Sequence, residues 1–188
     1  MSVLPIVIYD AQVLRQKSAD VTADSQWLQT LIDDMFETMY NGSGVGLAAP
    51  QIGETIRLFV MDADVMTEDT DEEDLGPLVF INPEITSKSD TQVTIEEGCL
   101  SIPGIRDSIN RPESVTVKFL DRNFKPREMT VTGWSSRVIQ HEIDHLDGVL
   151  FIDYLGSFRK RLLKSKLNQV KEGLVEAEYP VAGKSVSA

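Results

Sequence analysis

A single cysteine in 188 residues leaves no second sulfur for an internal disulfide. Basic residues are also scarce: eighteen Lys and Arg stand against thirty Asp and Glu, giving a formal charge of −12 and a pI near 4.6. A surface of that sign excludes a protein that grips nucleic acid or anionic lipid over its whole face, and no sequence-specific nucleic-acid binding is expected; any such contact must be local. Long apolar runs are missing, and nothing approaches the roughly 20 apolar residues of a membrane span. The opening residues MSVLPIVI have no basic stretch and are broken by Pro5, unlike a secretory signal. With a free cysteine, the expected compartment is the cytoplasm.

What remains is an ordinary globular composition, 41% hydrophobic and 26% charged. A chain of this size forms one domain and buries about 70% of its unfolded surface, enough for a core without disulfides. Asp10 is a candidate N-cap for a short helix at 11–17, and Asp24 for a longer one running to Tyr40. Within the second, Leu28, Leu31, Ile32, Met35, Phe36 and Met39 fall on one apolar face, and Asn41-Gly42 supplies the stop. GVGLAAPQ at 44–51 reads as an irregular, closely packed segment. Strand patterns follow at Ile56–Met61, Leu78–Asn82, Gln92–Ile95, Ser114–Leu120 and Glu128–Thr132. Between the first two, 62–76 holds eight acidic residues and no basic one, which predicts a solvated surface loop. Helical spacing returns from Trp134 to Leu146 and again from Asp153 to Lys171. The small, polar end is expected to fray, so the reading is one domain over 1–172 and a flexible tail over 173–188.

Both histidines of the chain lie in His141-Glu142-Ile143-Asp144-His145. Residues four apart on a helix share a face, so two imidazoles can hold one metal ion while the glutamate beside the first handles a proton of water activated there. A catalytic metal wants three protein ligands and one open position. Metallopeptidases of this motif take a third histidine or a downstream glutamate; no histidine is left, and Glu172 ends a basic helix. The lone Cys99, in Glu97-Gly98-Cys99-Leu100-Ser101, remains as the third donor. Its soft sulfur suits iron or zinc and disfavours magnesium or calcium. The fold expected is α+β, an antiparallel or mixed sheet around a central metal-binding helix with an N-terminal and a C-terminal helix.

GVGLAAPQ at 44–51, EGCLS at 97–101 and QHEIDHLDG at 140–148 resemble, in order and separation, the three signature motifs of the peptide deformylases. The resemblance implies metal ligation by Cys99, His141 and His145, with Glu142 as acid/base. It places the Gln51 amide and the Leu100 N–H at the developing oxyanion, Gly46 against the substrate backbone, and Arg106 in contact with substrate. It further implies ferrous iron as the native metal, with zinc, nickel or cobalt able to replace it. The activity implied is removal of the formyl group from formyl-methionyl nascent chains, with release of formate. A methionine slot then needs apolar lining, for which Val45, Ile95, Trp134 and Val138 are the candidates. Arg137 stands where many members carry an aliphatic residue; its stem is expected to line the slot and its guanidinium to reach solvent. Alternatives are a metallopeptidase of the HExxH type and a non-catalytic module with a structural metal site. Finally, 157–171 carries six bases (Arg159, Lys160, Arg161, Lys164, Lys166, Lys171) and no acid, leaving twelve bases against thirty acids elsewhere. That asymmetry points to a polyanionic partner, which for this family would be the ribosome.

Overall fold

The structure is a computed structural model that describes residues 1–67 and 70–182. Helix α1 (Gln26–Asn41) opens at Ser25, whose hydroxyl accepts the Leu28 N–H at 3.1 Å. Asp24, the expected cap, instead accepts from Gln29 Nε2 on the first turn of the helix. Seven strands follow: β1 (Gly46–Ala48), β2 (Leu58–Met61), β3 (Leu78–Lys88), β4 (Gln92–Gly98), β5 (Arg106–Pro112), β6 (Val115–Leu120) and β7 (Pro126–Val131). All pairings between them are antiparallel: a five-stranded sheet in the order β1-β2-β3-β6-β7, and a separate β4-β5 hairpin. A four-residue helix, α2 (Asp64–Thr67), lies between β2 and β3, and α3 (Gly133–Leu146) and α4 (Ser157–Lys171) close the chain. The α+β class follows directly.

Every residue of β2 is buried because both faces of the sheet are covered. Phe59 and Met61 join Ala48, Phe80 and Ile139 under α3, while Leu58 and Val60 join Leu47, Ile32 and Met35 under α1. Phe59 stacks on Phe80 with ring centroids 4.4 Å apart. Each such side chain contributes about 1.5–3 kcal/mol of burial, so this sandwich fixes α3 rigidly against β1 and β2. A third cluster sets Leu163, Leu167 and Val170 of α4 on Leu14, Ile102, Ile105 and Phe151, with Cys99 at its edge. No helix among the described residues is long and apolar enough to cross a membrane.

Several expectations need correction. Residues 11–17 form only a 3-10 turn, Gln12–Arg15, because Asp10 is left-handed (φ 78) and its carboxylate pairs with Lys171 at 2.5 Å. Residues 44–51 are not irregular throughout, since β1 and a 3-10 turn at Ala49–Ile52 occupy most of them. Extended Leu155 splits the helix expected from Asp153 into a 3-10 turn, Phe151–Tyr154, and α4.

The acidic segment is folded onto the body rather than simply solvated. Asp64 accepts the amides of Leu75 and Gly76, and the Thr67 hydroxyl donates to Asp74 at 2.7 Å. Glu72 accepts the Trp134 N–H at 2.8 Å, where a carboxylate at a helix N-terminus gains about 0.3–1 kcal/mol. Gly133 (φ 54) lies so close to that carboxylate that a side chain would collide with it. Backbone amides thus bind Asp64 and Glu72, and a side-chain hydroxyl binds the exposed Asp74. The expected tail is also packed as far as described: Ile6 N–H donates to Pro180 O and Ala182 N–H to Ile6 O, each at 2.9 Å. The remaining tail, 183–188, and residues 68 and 69 of the acidic segment lie outside the described residues.

Candidate active site

Helix α3 carries His141 and His145 on one face, their rings 5.0 Å apart and steeply inclined. The turn after β4 brings in Cys99, whose Sγ lies 3.2 Å from His145 Nε2. One donor atom from each of the three lies within 4.8 Å of the others. One sulfur and two imidazole nitrogens converging in a largely buried place form a donor set that fits a divalent transition metal and leaves one position open. The His145 nitrogen that faces Cys99 is Nε2, and its Nδ1 is buried without a hydrogen bond.

His141 is oriented from behind. Its Nδ1 lies 2.8 Å from Glu97 Oε2, and Glu97 is gripped by Arg111 at 2.6 and 3.0 Å and by Arg137 at 2.8 Å. Burial would raise the Glu97 pKa, but the hydrogen bonds from His141 and Arg111 outweigh it and hold Glu97 well below the usual carboxylate range. An ionised Glu97 fixes the His141 ring and turns its other nitrogen toward Cys99 and His145. Arg111 also pairs with Asp144 at 2.6 Å and lies over the Tyr154 ring.

Arg137 does not reach solvent as expected. It is 4% exposed, and its guanidinium is consumed by Glu97 and by the carbonyls of Ile109 (2.8 Å) and Val93 (2.6 Å). Sequence reasoning gave Glu97 and Arg111 no role. Their signal was faint: a glutamate two residues before the cysteine, and an arginine at an inward position of β5.

Glu142 is buried with Oε2 unpartnered, and burial pushes its carboxyl up to about 7. It lies against Gly46, where a side-chain carbon would collide with Glu142 Oε1 and sit 2.9 Å from Val138 Cγ1. Only glycine lets β1 come this close. Gln51 is 2% exposed; its Oε1 accepts the Ala48 N–H at 2.8 Å, which turns Nε2 toward Cys99 Sγ (3.5 Å) and Ser101 Oγ (3.3 Å). The Leu100 N–H has no partner among the described residues.

Gln51, Cys99, Leu100, His141 and Glu142 border one cavity of about 650 Å³. Val45, Trp134, Val138 and the Arg137 stem line it, with Met66 from α2 as an addition. Ile95 does not line it; on that side Arg137 and Glu97 form the wall. Arg106 stands at the exposed rim, its Nε 2.8 Å from Glu96. Glu176 to Tyr179 also line the cavity, and composition alone gave no sign of this.

Known proteins resemble this chain in sequence and in fold. The sequence model of the family described as Polypeptide deformylase matches residues 3–161. The peptide deformylase of Salinibacter ruber is 50% identical over 186 residues, covering 97% of this chain and 95% of that protein. A peptide deformylase crystal structure from Legionella pneumophila superposes with a TM-score of 0.81 at 43% identity, covering 92% of this chain and 98% of that one. One from Ehrlichia chaffeensis, in complex with actinonin, gives 0.83 at 40% identity, with 92% and 98% covered. Matching sequence over nearly the whole length and matching fold agree, and the chain belongs to the peptide deformylase family.

Proposed function

We infer that this protein is a metal-dependent hydrolase that removes the formyl group from the N-terminus of formyl-methionyl nascent chains and releases formate. The observation that carries the reading is the convergence of Cys99, His141 and His145 beside an unpartnered, buried Glu142 in a family member. A divalent ion held by those three ligands supplies Lewis acidity that makes hydroxide available near neutral pH. Glu142 takes a proton from the attacking water and returns it to the leaving amine. Water adds at the formyl carbon, the C–N bond breaks, and the products are formate and a free amino terminus. Gln51 Nε2 and the Leu100 N–H donate to the oxygen that becomes negative.

Strand β1 is the edge of its sheet, and its free side borders the cavity, so a substrate backbone adds there as an extra strand beside Gly46. The methionine side chain enters between Val45, Trp134 and Val138, and Arg106 contacts the chain beyond it at the rim. The metallopeptidase reading has no support, because the third donor is Cys99 rather than histidine or glutamate. The catalytic unit extends past 172 to include the packed segment through Ala182.

The metal proposed in vivo is ferrous iron, with zinc, nickel or cobalt as substitutes, and the compartment proposed is the cytoplasm. The basic helix is the candidate ribosome contact. Arg159 is tied to Asp107, Lys171 to Asp10 and Lys160 to the Asp153 carbonyl, which leaves Arg161, Lys164 and Lys166 for a polyanion. Removing α4 would strip the third core cluster, so the clean test is the triple change to glutamate with ribosome co-sedimentation at two salt concentrations.

The test of the main reading is formate release from a formyl-methionyl tripeptide by anaerobically purified protein of measured metal content, with Glu142→Ala alongside. Release that depends on Glu142 supports it. No formate from iron-, nickel-, zinc- or cobalt-loaded protein refutes it.

A further inference from the structure

The turn after β4 presents three successive carbonyls, each held by a donor from a different place. Ile102 N–H donates to Cys99 O at 2.9 Å, Tyr9 N–H to Ser101 O at 2.7 Å, and the Tyr179 hydroxyl to Leu100 O at 2.6 Å. The first two are backbone contacts. The middle carbonyl belongs to the central peptide of the turn, the unit that turns over between turn types, and among the described residues only a side-chain hydroxyl some eighty residues further along the chain holds it.

That hydroxyl is itself well fixed. Leu174 N–H donates to Gln169 O at the end of α4, Val175 packs over Gly104, and Pro180 and Ala182 bracket Ile6 through the two hydrogen bonds described above. The segment 174–182 is therefore a strap anchored at both ends, with Tyr179 half-buried against Leu100. Burial, and secondarily the nearby Cys99, push the Tyr179 hydroxyl up to about 12, so it remains a donor across the working pH range. The turn it holds carries the sulfur of Cys99, the N–H of Leu100, and Ser101 Oγ, on which the Gln51 amide rests at 3.3 Å. Three groups of the reaction thus ride on one turn.

We propose that Tyr179 is a positioning residue for deformylation: its hydroxyl, carried by the strap, fixes the peptide between Leu100 and Ser101 and thereby the geometry of the oxyanion donors. This rests on the activity inferred above. A donor that serves the developing oxyanion acts in the transition state, so loss of its positioning lowers kcat and spares KM.

The experiment compares metal-loaded wild type, Tyr179→Phe and Tyr179→Leu by steady-state kinetics on a formyl-methionyl tripeptide and by backbone hydrogen exchange. Tyr179→Phe is expected to retain its metal, lose about tenfold in kcat with KM changed by less than about twofold, and exchange faster at residues 99–102 but not in the sheet. Tyr179→Leu is expected to add little to the kcat loss, because the hydroxyl is already gone. A phenylalanine variant with wild-type kcat overturns the proposal, and a leucine variant alone impaired assigns the residue to packing. Wild type that releases no formate defeats the deformylase reading instead. In that event exchange still decides: unchanged protection at 99–102 in Tyr179→Phe overturns the role of the hydroxyl.

Discussion

Replacing Arg137 with methionine tests the buried charge cluster behind Cys99, His141 and His145. Methionine keeps most of the stem that lines the slot and removes only the guanidinium. The guanidinium makes three hydrogen bonds, to Glu97 and to the carbonyls of Val93 and Ile109, at 2.6 to 2.8 Å. Both Arg137 and Glu97 have side chains 4% exposed. Deleting one partner of such a buried pair costs about 3–5 kcal/mol, here mainly through the two stranded carbonyls, since Arg111 and His141 still compensate Glu97. For a chain of this size each kcal/mol moves Tm by about 2–4 °C, so the expected drop is about 6–20 °C. Urea unfolding of the metal-loaded variant measures the loss directly, with an unchanged slope showing that the unfolded reference is the same. His141 should keep its orientation, since Arg111 still holds Glu97 with two bonds. Arg137→Lys should recover only part of the stability, because one ammonium cannot span all three acceptors. A solvent-facing guanidinium would make Arg137→Met nearly neutral, within about 0.5 kcal/mol. A measured loss below about 1 kcal/mol would therefore refute the buried clamp, given the cost of 3–5 kcal/mol expected for one.

Glu142→Ala should retain metal and lose about 10²–10⁴-fold in kcat, the usual worth of general acid/base help; wild-type turnover at full metal content would remove Glu142 from the mechanism. Glu142 acts as base when ionised and burial raises its pKa from 4.5 to about 7, so kcat/KM should fall as pH drops through about 7. A limb at or below 4.5 contradicts this. Gly46→Ala should cost about 1–3 kcal/mol of stability through overpacking, and most of the activity, because the new methyl group displaces Glu142; a fully active alanine variant would show that the approach is not tight. Gln51→Leu should lower kcat/KM by about 10²–10³-fold, and a loss below about threefold in folded, metal-loaded protein excludes its amide from the oxyanion site.

Local spacing made part of this molecule legible in advance. The apolar stripe of α1 and the pair His141 and His145 are contacts between residues three or four apart, and helix geometry alone brings them together. Cys99 is found by elimination, because the chain offers no further histidine and no other thiol. What stayed hidden depends on long-range partners and on charge inside the protein. Strand β5 does alternate, but one of its inward positions is Arg111, which reads as surface until Glu97 and Asp144 are seen around it. Arg137 misleads in the same way. Glu72 looks like one more acid in a repelling run, and only the fold sets it on the first turn of α3. Tyr179 sits in a stretch whose composition suggests a tail, and its hydrogen bond spans 79 residues.

The third core cluster has a consequence for any partner that takes hold of α4. Leu163, Leu167 and Val170 share their apolar bed with Ile102, Ile105 and the edge of Cys99, so the inner side of this helix and the sulfur ligand rest on the same foundation. A receptor that peeled the helix away would loosen the metal ligand along with it. Docking compatible with turnover must therefore use the outer side alone, where Arg161, Lys164 and Lys166 stand with the exposed Phe158 and Leu162, and the helix then serves as a rigid handle. A partner bound there would fix the direction in which the cleft faces, since α4 leads directly into the strap that forms one wall of that cleft.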